Sequence, residues 1–310
     1  MIKTFSNNIY IVMYHYVREI KKSKYPNLKG LEFDEFKNQI LYFKKNFNIL
    51  NNEQFCEIIN TKVVPKKKSV LLSFDDGYQD HFNYVFPYLK KKKLSGFFYP
   101  SVDTILYSKV LDVNKIQFIL EKENNKKKIL NFIFNYLEKN KIKIKNLKNL
   151  SLKSRWDDKE TVLIKRLLQY FLPKKIRDKV INKLFFDLIN INEKEFSKNL
   201  YLTKGQIIEM SKNSMTIGSH GSAHNWLANM SMNNQEKDIK KSLKFFKEIN
   251  IYNENFSFCY PHGSFNKNTI KILKKLNIKF ALSTLKGSVN NKNISNRFYL
   301  SRLDTNDFRL

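Results

Sequence analysis

Val70 to Phe74 form a short apolar run, preceded by Lys66-Lys67-Lys68 and followed at once by Asp75, Asp76 and Gly77. A run of this length between charged and turn-forming residues predicts a buried strand. Two adjacent carboxylates at its end are costly unless a positive group, often a metal ion, meets them. Gly77 permits a sharp turn, which puts both carboxylates at a strand mouth, where α/β enzymes keep their chemistry.

The rest of the chain repeats the strand-then-helix alternation. Ile9–Val17 reads as a first strand, with His15 at its end, and Phe33–Phe47 and Asn52–Ile59 read as helices. A helix over about Asn83–Lys93 and the strand "GFFYPSV" follow the run at Val70. Such βαβ alternation predicts a parallel sheet or barrel. From about Asp112 to Leu200 the character changes to helical periodicity with 22 basic and 11 acidic residues, no glycine and one proline, Pro173. This segment reads as a lysine-rich helical insertion at about 112–200 in an otherwise single domain over 1–310, as a solvated excursion or as a lid or polyanion-binding arm. Alternation resumes after it, with strands in "MTIGSH", "FSFCYPHG" and "FALST".

At 310 residues the chain can bury a large core, and a hydrophobic fraction of 42 % marks it as globular. Its 57 basic against 28 acidic residues give a net charge of +29. The excess is spread as lysine along the whole chain, so no specific nucleic-acid partner is expected, while contact with an anionic membrane surface or glycan stays open. Cys56 and Cys259 lie far apart with no CxxC spacing, which argues for a reducing compartment and against a disulfide framework. The N-terminal residues lack the long apolar stretch and small-residue cleavage site of a secretory signal, so a cytoplasmic, or peripherally membrane-associated, protein is expected.

Three constellations carry the chemistry: Ser73–Gly77, "IGSHGSAHNWL" with His220 and His224, and "FCYPHGSFN" from Phe258 to Asn266. Each follows a predicted strand. The chain has only five histidines, and the four-residue spacing of His220 and His224 would set both rings on one face of a helical turn. With one carboxylate from another strand mouth they would make a two-His, one-carboxylate set with open positions on a divalent metal. The adjacent carboxylate is then free to act as a general base.

Residues 70–106 and 215–285, through "SFDDGYQDHFNYVFPYL", "GSHGSAH" and "FCYPHGSFN", resemble the polysaccharide deacetylase family, the NodB-homology carbohydrate esterases. The resemblance implies a distorted (β/α) barrel of about seven parallel strands. It also implies a metal-dependent hydrolase that removes an N-acetyl group from an amino sugar in a glycan or glycan precursor. Asp75 falls on the family's general base, and Asp76, His220 and His224 on its metal ligands. The metal would be zinc first, with cobalt, nickel or manganese as alternatives. Tyr260, Pro261 and His262 fall on the turn that meets the substrate carbonyl, with the His262 N–H toward the oxyanion.

The sequence departs from the family in three places. No arginine stands in "FCYPH", His262 replaces a common tyrosine, and the late histidine that supplies the general acid is missing. His15, in "VMYHYV", matches a histidine of members with a rearranged motif order and is the preferred acid, with His262 as competitor. Arg302 is the candidate for the missing arginine if it pairs with Asp75, the alternative being a surface arginine. His81 reads as a cap or surface residue, Cys259 as a buried thiol, and Trp226 as a sugar-stacking or core tryptophan. Two rival functions remain: the same site acting on an O-acetyl ester or small amide, and a basic polyanion-binding protein with a degenerate deacetylase fold.

Overall fold

The structure, a computed structural model, describes residues 6–143, 147, 150, 152, 154 and 157–308. The chain divides into two compact units. One comprises Met1–Ile20, Lys29–Ser108 and Ser197–Leu310, and the other Lys21–Leu28 and Lys109–Phe196.

In the larger unit the strands are β1 (Ile9–Tyr14), β2 (Val17–Arg18), β3 (Leu31–Glu32), β4 (Asn48–Ile49), β5 (Ser69–Asp76), β6 (Phe97–Pro100), β7 (Thr216–Ile217), β8 (Phe258–Cys259), β9 (Ala281–Lys286) and β10 (Leu300–Asp304). Seven of them pair in the order β7-β6-β5-β1-β10-β9-β8, and β4 pairs separately with β5. Every pairing in the sheet is parallel. The two edges meet in one parallel bridge, Ser219 to Phe258, so the sheet curls into a distorted (β/α) barrel.

Strand alternation sorts side chains into two layers. Ile9, Ile11, Leu71, Phe97, Tyr99, Cys259, Leu282 and Leu300 form the inner cluster, where a helix over Asn52–Thr61 contributes Phe55, Ile58 and Ile59. Tyr10, Val12, Tyr14, Leu72, Phe74 and Phe98 point the other way, into a cluster with Phe36, Ile40 and Phe43 of the helix Phe33–Asn46. Burial on both faces is why Val70, Leu71 and Leu72 of β5 are apolar in succession instead of alternating: all eight residues of the strand are buried. By the same alternation Ser73 and Asp75 of β5, and Arg302 of β10, face inward.

Two local expectations change. The first strand stops at Tyr14, because Val17 and Arg18 leave the barrel to pair with Leu31 and Glu32. The helix after β5 opens with a π-helical turn, His81–Val85, before its α-helical part, Phe86–Lys91. Pro87 lacks the N–H that an ordinary α-helical ladder needs at that point.

The smaller unit is helical. Its helices include Asp112–Lys122, Lys126–Lys139, Lys159–Arg166 and Lys174–Ile189. Phe118, Phe185 and Phe196 meet edge-to-face in its core. The buried Lys115 ammonium lies 2.8 Å from Glu193 and donates to Asn182 at 2.7 Å. Among the described residues no helix is long and apolar enough to cross a membrane.

The chain leaves β5 through Gly77 at φ 70°, where an added Cβ would lie 2.5 Å from Pro100 Cβ and 2.8 Å from its Cα. Gly77→Ala is expected to cost about 2 kcal/mol or more, from left-handed strain and this clash. Urea denaturation checks it; a loss below about 0.5 kcal/mol would mean that the turn relaxes freely.

Candidate active site

The backbone separates the two adjacent carboxylates. Asp75 continues the inward row of β5, whereas Asp76 takes a left-handed φ of 71° that re-aims its side chain out of the strand's alternation. Asp75 and Asp76 therefore meet different partners.

Asp76 meets the histidines. Its Oδ1 lies 3.4 Å from His220 Nε2 and 3.2 Å from His224 Nε2, while its Oδ2 accepts the Tyr78 hydroxyl proton at 2.6 Å. His220 extends the barrel wall, its N–H donating to the Pro100 carbonyl at 3.3 Å. Its Nδ1 is 2.8 Å from the Cys259 carbonyl, an acceptor only, so Nδ1 carries a proton and Nε2 is the nitrogen turned toward Asp76. His224 arrives differently from the sequence expectation. Residues 220–224 form no helical turn, because Gly221 at φ 74° and His224 at φ 52° reverse the chain. That irregular loop brings the second imidazole beside the first, with ring centroids 4.8 Å apart.

These residues fit a divalent metal. Asp76 Oδ1 is buried and has no hydrogen-bond partner, an expensive state that a cation relieves. Ligands held at about 2.0–2.1 Å in tetrahedral geometry stand about 3.3 Å from one another, close to both N–O separations here. Burial opposes the Asp76 anion, yet His224 and His220 hold its carboxyl well below its ordinary value.

Asp75 meets Arg302, which is buried inside the barrel and not on the surface. Nη1 donates to Oδ1 at 2.8 Å, and Nη2 lies 2.8 Å from Oδ2, a two-pronged pairing. Arg302 Nε donates to the Ser283 carbonyl at 2.7 Å, and Nη1 also reaches Ser73 Oγ at 3.3 Å. The buried thiol of Cys259 donates to Asp75 Oδ1 at 3.4 Å. Burial pushes the Asp75 carboxyl up, but Arg302, then His220, outweigh it and lower it to about 2.

His15 follows β1, half-buried, and its imidazole helps to lower both carboxylates. Its carbonyl is held by His81 Nε2 at 2.9 Å. His81 is no cap or surface residue: it is fully buried, and burial pushes its pKa down to about 4, so the ring is neutral and donates from Nε2.

After β8 the chain turns at His262, φ 56°, and Gly263, φ 66°. Gly263 N–H donates to the Tyr260 carbonyl and Ser264 N–H to that of Pro261, while among the described residues the His262 N–H meets no acceptor. The His262 ring stacks on Trp226 at 4.4 Å and 9° and sets its edge on His224 at 4.4 Å. Burial, then His224, keep it neutral, well below its ordinary pKa. Tyr260 is buried, with its hydroxyl donating to the Phe298 carbonyl at 2.6 Å, so only its backbone is free to serve the turn. Sequence reasoning assigned no chemistry to Tyr78, whose signal was its place two residues past Asp76.

The sequence profile described as polysaccharide deacetylase matches residues 62–109 and 166–281, just over half of the chain. Solved structures share the fold. The Streptococcus pyogenes deacetylase PplD in complex with acetate is 19 % identical, with TM-score 0.60 over 96 % of this chain and 92 % of that one. IcaB from Ammonifex degensii is 14 % identical, with TM-score 0.57 over 96 % and 91 %. A de-N-acetylase from Aggregatibacter actinomycetemcomitans is 16 % identical, with TM-score 0.53 over 96 % and 94 %. The search of curated proteins found no match.

His220→Ala and Asp76→Ala are expected to weaken Zn²⁺ or Co²⁺ binding by about 100-fold or more, and Asp75→Asn by less than about tenfold. Chelator-competition titration separates them; equal losses would overturn the division of labour between Asp75 and Asp76.

Proposed function

The chain belongs to the polysaccharide deacetylase family, and from that membership we propose a hydrolase that removes the acetyl group from an N-acetylated amino sugar of a glycan or glycan precursor. It works at one divalent metal held by Asp76, His220 and His224. The observation that carries this reading is the buried, unpartnered Asp76 Oδ1 facing two imidazole nitrogens, beside a second carboxylate kept ionised by Arg302. Two imidazoles and a carboxylate suit zinc first, with cobalt, nickel or manganese as alternatives. When bound, the cation supplies Lewis acidity toward the amide carbonyl and toward water.

The chain's own groups do the rest. Asp75, ionised and aimed by Arg302, takes a proton from the attacking water at a carboxylate oxygen. Water oxygen bonds to the acetyl carbon, and the His262 N–H meets the charge that develops on the carbonyl oxygen. His15, fixed through its carbonyl by His81, gives a proton to the sugar nitrogen as the C–N bond breaks, which releases acetate and a free amine. Neutral His262, stacked on Trp226, serves as the wall of the acyl site. His15 and Arg302, both outside the segments the family profile matches, fill the roles that the third motif and the C-terminal residues leave open. The basic-binder alternative leaves the Asp75–Arg302 pair and the ligand set without a purpose.

Metal-stripped protein is expected to release acetate from an N-acetylated saccharide panel only after zinc or cobalt is restored, and faster than from O-acetylated sugars. Stoichiometric metal uptake with no acetate from any substrate would overturn the reading. Arg302→Ala should lower turnover at least about tenfold and move the acid limb of the rate profile upward, because the burial of Asp75 then loses its largest opposing influence. Turnover within twofold with an unmoved limb would remove Arg302 from the mechanism. The Asp75–Arg302 pair also contributes stability that is present above the ordinary carboxylate pKa of about 3.9 and lost as pH falls through about 2. Acid unfolding should therefore begin at higher pH in Arg302→Ala than in the wild type.

A further inference from the structure

We propose that Asp238 is a positioning residue of the metal site: its buried carboxylate gathers the loop that carries His224 and fixes that imidazole opposite Asp76. This rests on the metal-site reading above. The two histidines are supported in different ways. His220 belongs to the barrel: the residue before it, Ser219, bridges to β8, its own N–H donates to Pro100, and its Nδ1 is held by the Cys259 carbonyl. His224 lies four residues farther on, beyond a left-handed Gly221, and is itself left-handed at φ 52°. Such a conformation persists only when its surroundings over-determine it.

Asp238 provides that support. It sits on the helix Met232–Glu248, which packs against the loop from outside the barrel. Asp238 Oδ1 accepts the Ser222 N–H at 2.9 Å, and Oδ2 accepts the Ala223 N–H at 3.4 Å and the Asn225 side-chain amide at 2.9 Å. Three donors converging on one carboxylate satisfy its oxygens in their buried position. The fit is close: a Cβ on Gly221 would lie 2.9 Å from Asp238 Oδ1. From the other side Asp103 accepts the Ser222 hydroxyl at 2.6 Å, donates its own N–H to the Ser222 carbonyl at 2.8 Å, and pairs with Lys241 at 2.7 Å. Ser242, one turn along from Asp238, shares a 2.8 Å hydrogen bond with Ser219, which ties the same helix to the root of the loop.

An asparagine would keep the shape of Asp238 but not its chemistry. It has one acceptor oxygen, and its amide would point N–H groups at the donors that the second carboxylate oxygen now receives. The imidazole of His224 would then lose its fixed approach while Asp76 and His220 keep theirs.

The test is cobalt binding by chelator competition, together with the visible spectrum of the Co²⁺ form and the far-UV circular dichroism of the metal-free protein. Asp238→Asn is expected to weaken Co²⁺ binding about 10–100-fold and to alter the ligand-field bands, with secondary structure unchanged. Asn225→Ala, which removes one donor from the opposite side, should show a smaller loss in the same direction and stands in if Asp238→Asn does not fold. A folded variant whose cobalt affinity and spectrum match the wild type overturns the proposal. Wild-type protein that takes up no cobalt overturns the metal-site reading instead.

Discussion

A carboxylate on the inner wall of a closed barrel must find a cation there or stay protonated. Asp75 finds Arg302, two strands away in the order of the sheet, through two contacts of 2.8 Å. The guanidinium also donates from Nε to the Ser283 carbonyl of β9 and from Nη1 to the Ser73 hydroxyl of β5, while Nη2 has only its charge contact with Asp75. Burying both charges together is tolerable because each faces the other at close range; removing either would strand its partner in a low-dielectric interior. Strands β5, β9 and β10 are thereby held around one ion pair, and the carboxylate at its centre is kept anionic.

The rest of the site depends on a break in periodicity. Had Asp76 kept extended dihedrals, it would have pointed to the outer face among Phe74 and Phe98. Its left-handed backbone turns it toward the two histidines instead, and Gly77, held against Pro100, continues the reversal. Left-handed residues recur at Gly221, His224, His262 and Gly263. The chain uses the same conformation at helix ends such as Lys62 and Asn190; at the barrel mouth it reverses the segments that carry Asp76, His224 and His262.

The elements with local signals were legible in the sequence. Val70 to Leu72 are apolar on both faces because both faces are buried, and the three motif blocks stand out because each follows a predicted strand. The pairing of Arg302 with Asp75 was legible only as a deficit elsewhere, since 227 residues separate the two. Other features left no local trace. Nothing around Asp238 distinguishes it from the solvent-facing acids of an amphipathic helix, and its role exists only once the loop folds over it. His81 looked like a surface histidine because the π-helical turn that buries it follows from packing against Phe74, Tyr78 and Phe98, not from its neighbours in sequence. The loop at 220–224 defeated the spacing argument for the same reason: four residues suit a helical turn, but Gly221 permits a reversal that tertiary contacts then select.

The barrel closes along a single seam, at Ser219 and Phe258, through the Ser219 amide to Ser257 at 3.0 Å and the Cys259 amide to Ser219 at 2.8 Å. One step farther along the same seam, the His220 ring reaches across to the Cys259 carbonyl. An ion gripped by His220 and Asp76 would tether one lip of the seam to the middle of the sheet, and through that ring it would tether the other lip as well. The narrowest closure in the fold and the tightest ligand cluster are therefore mechanically one object. Amide protection along this line would rise and fall with the ion, and the barrel would breathe at the place where it performs its chemistry.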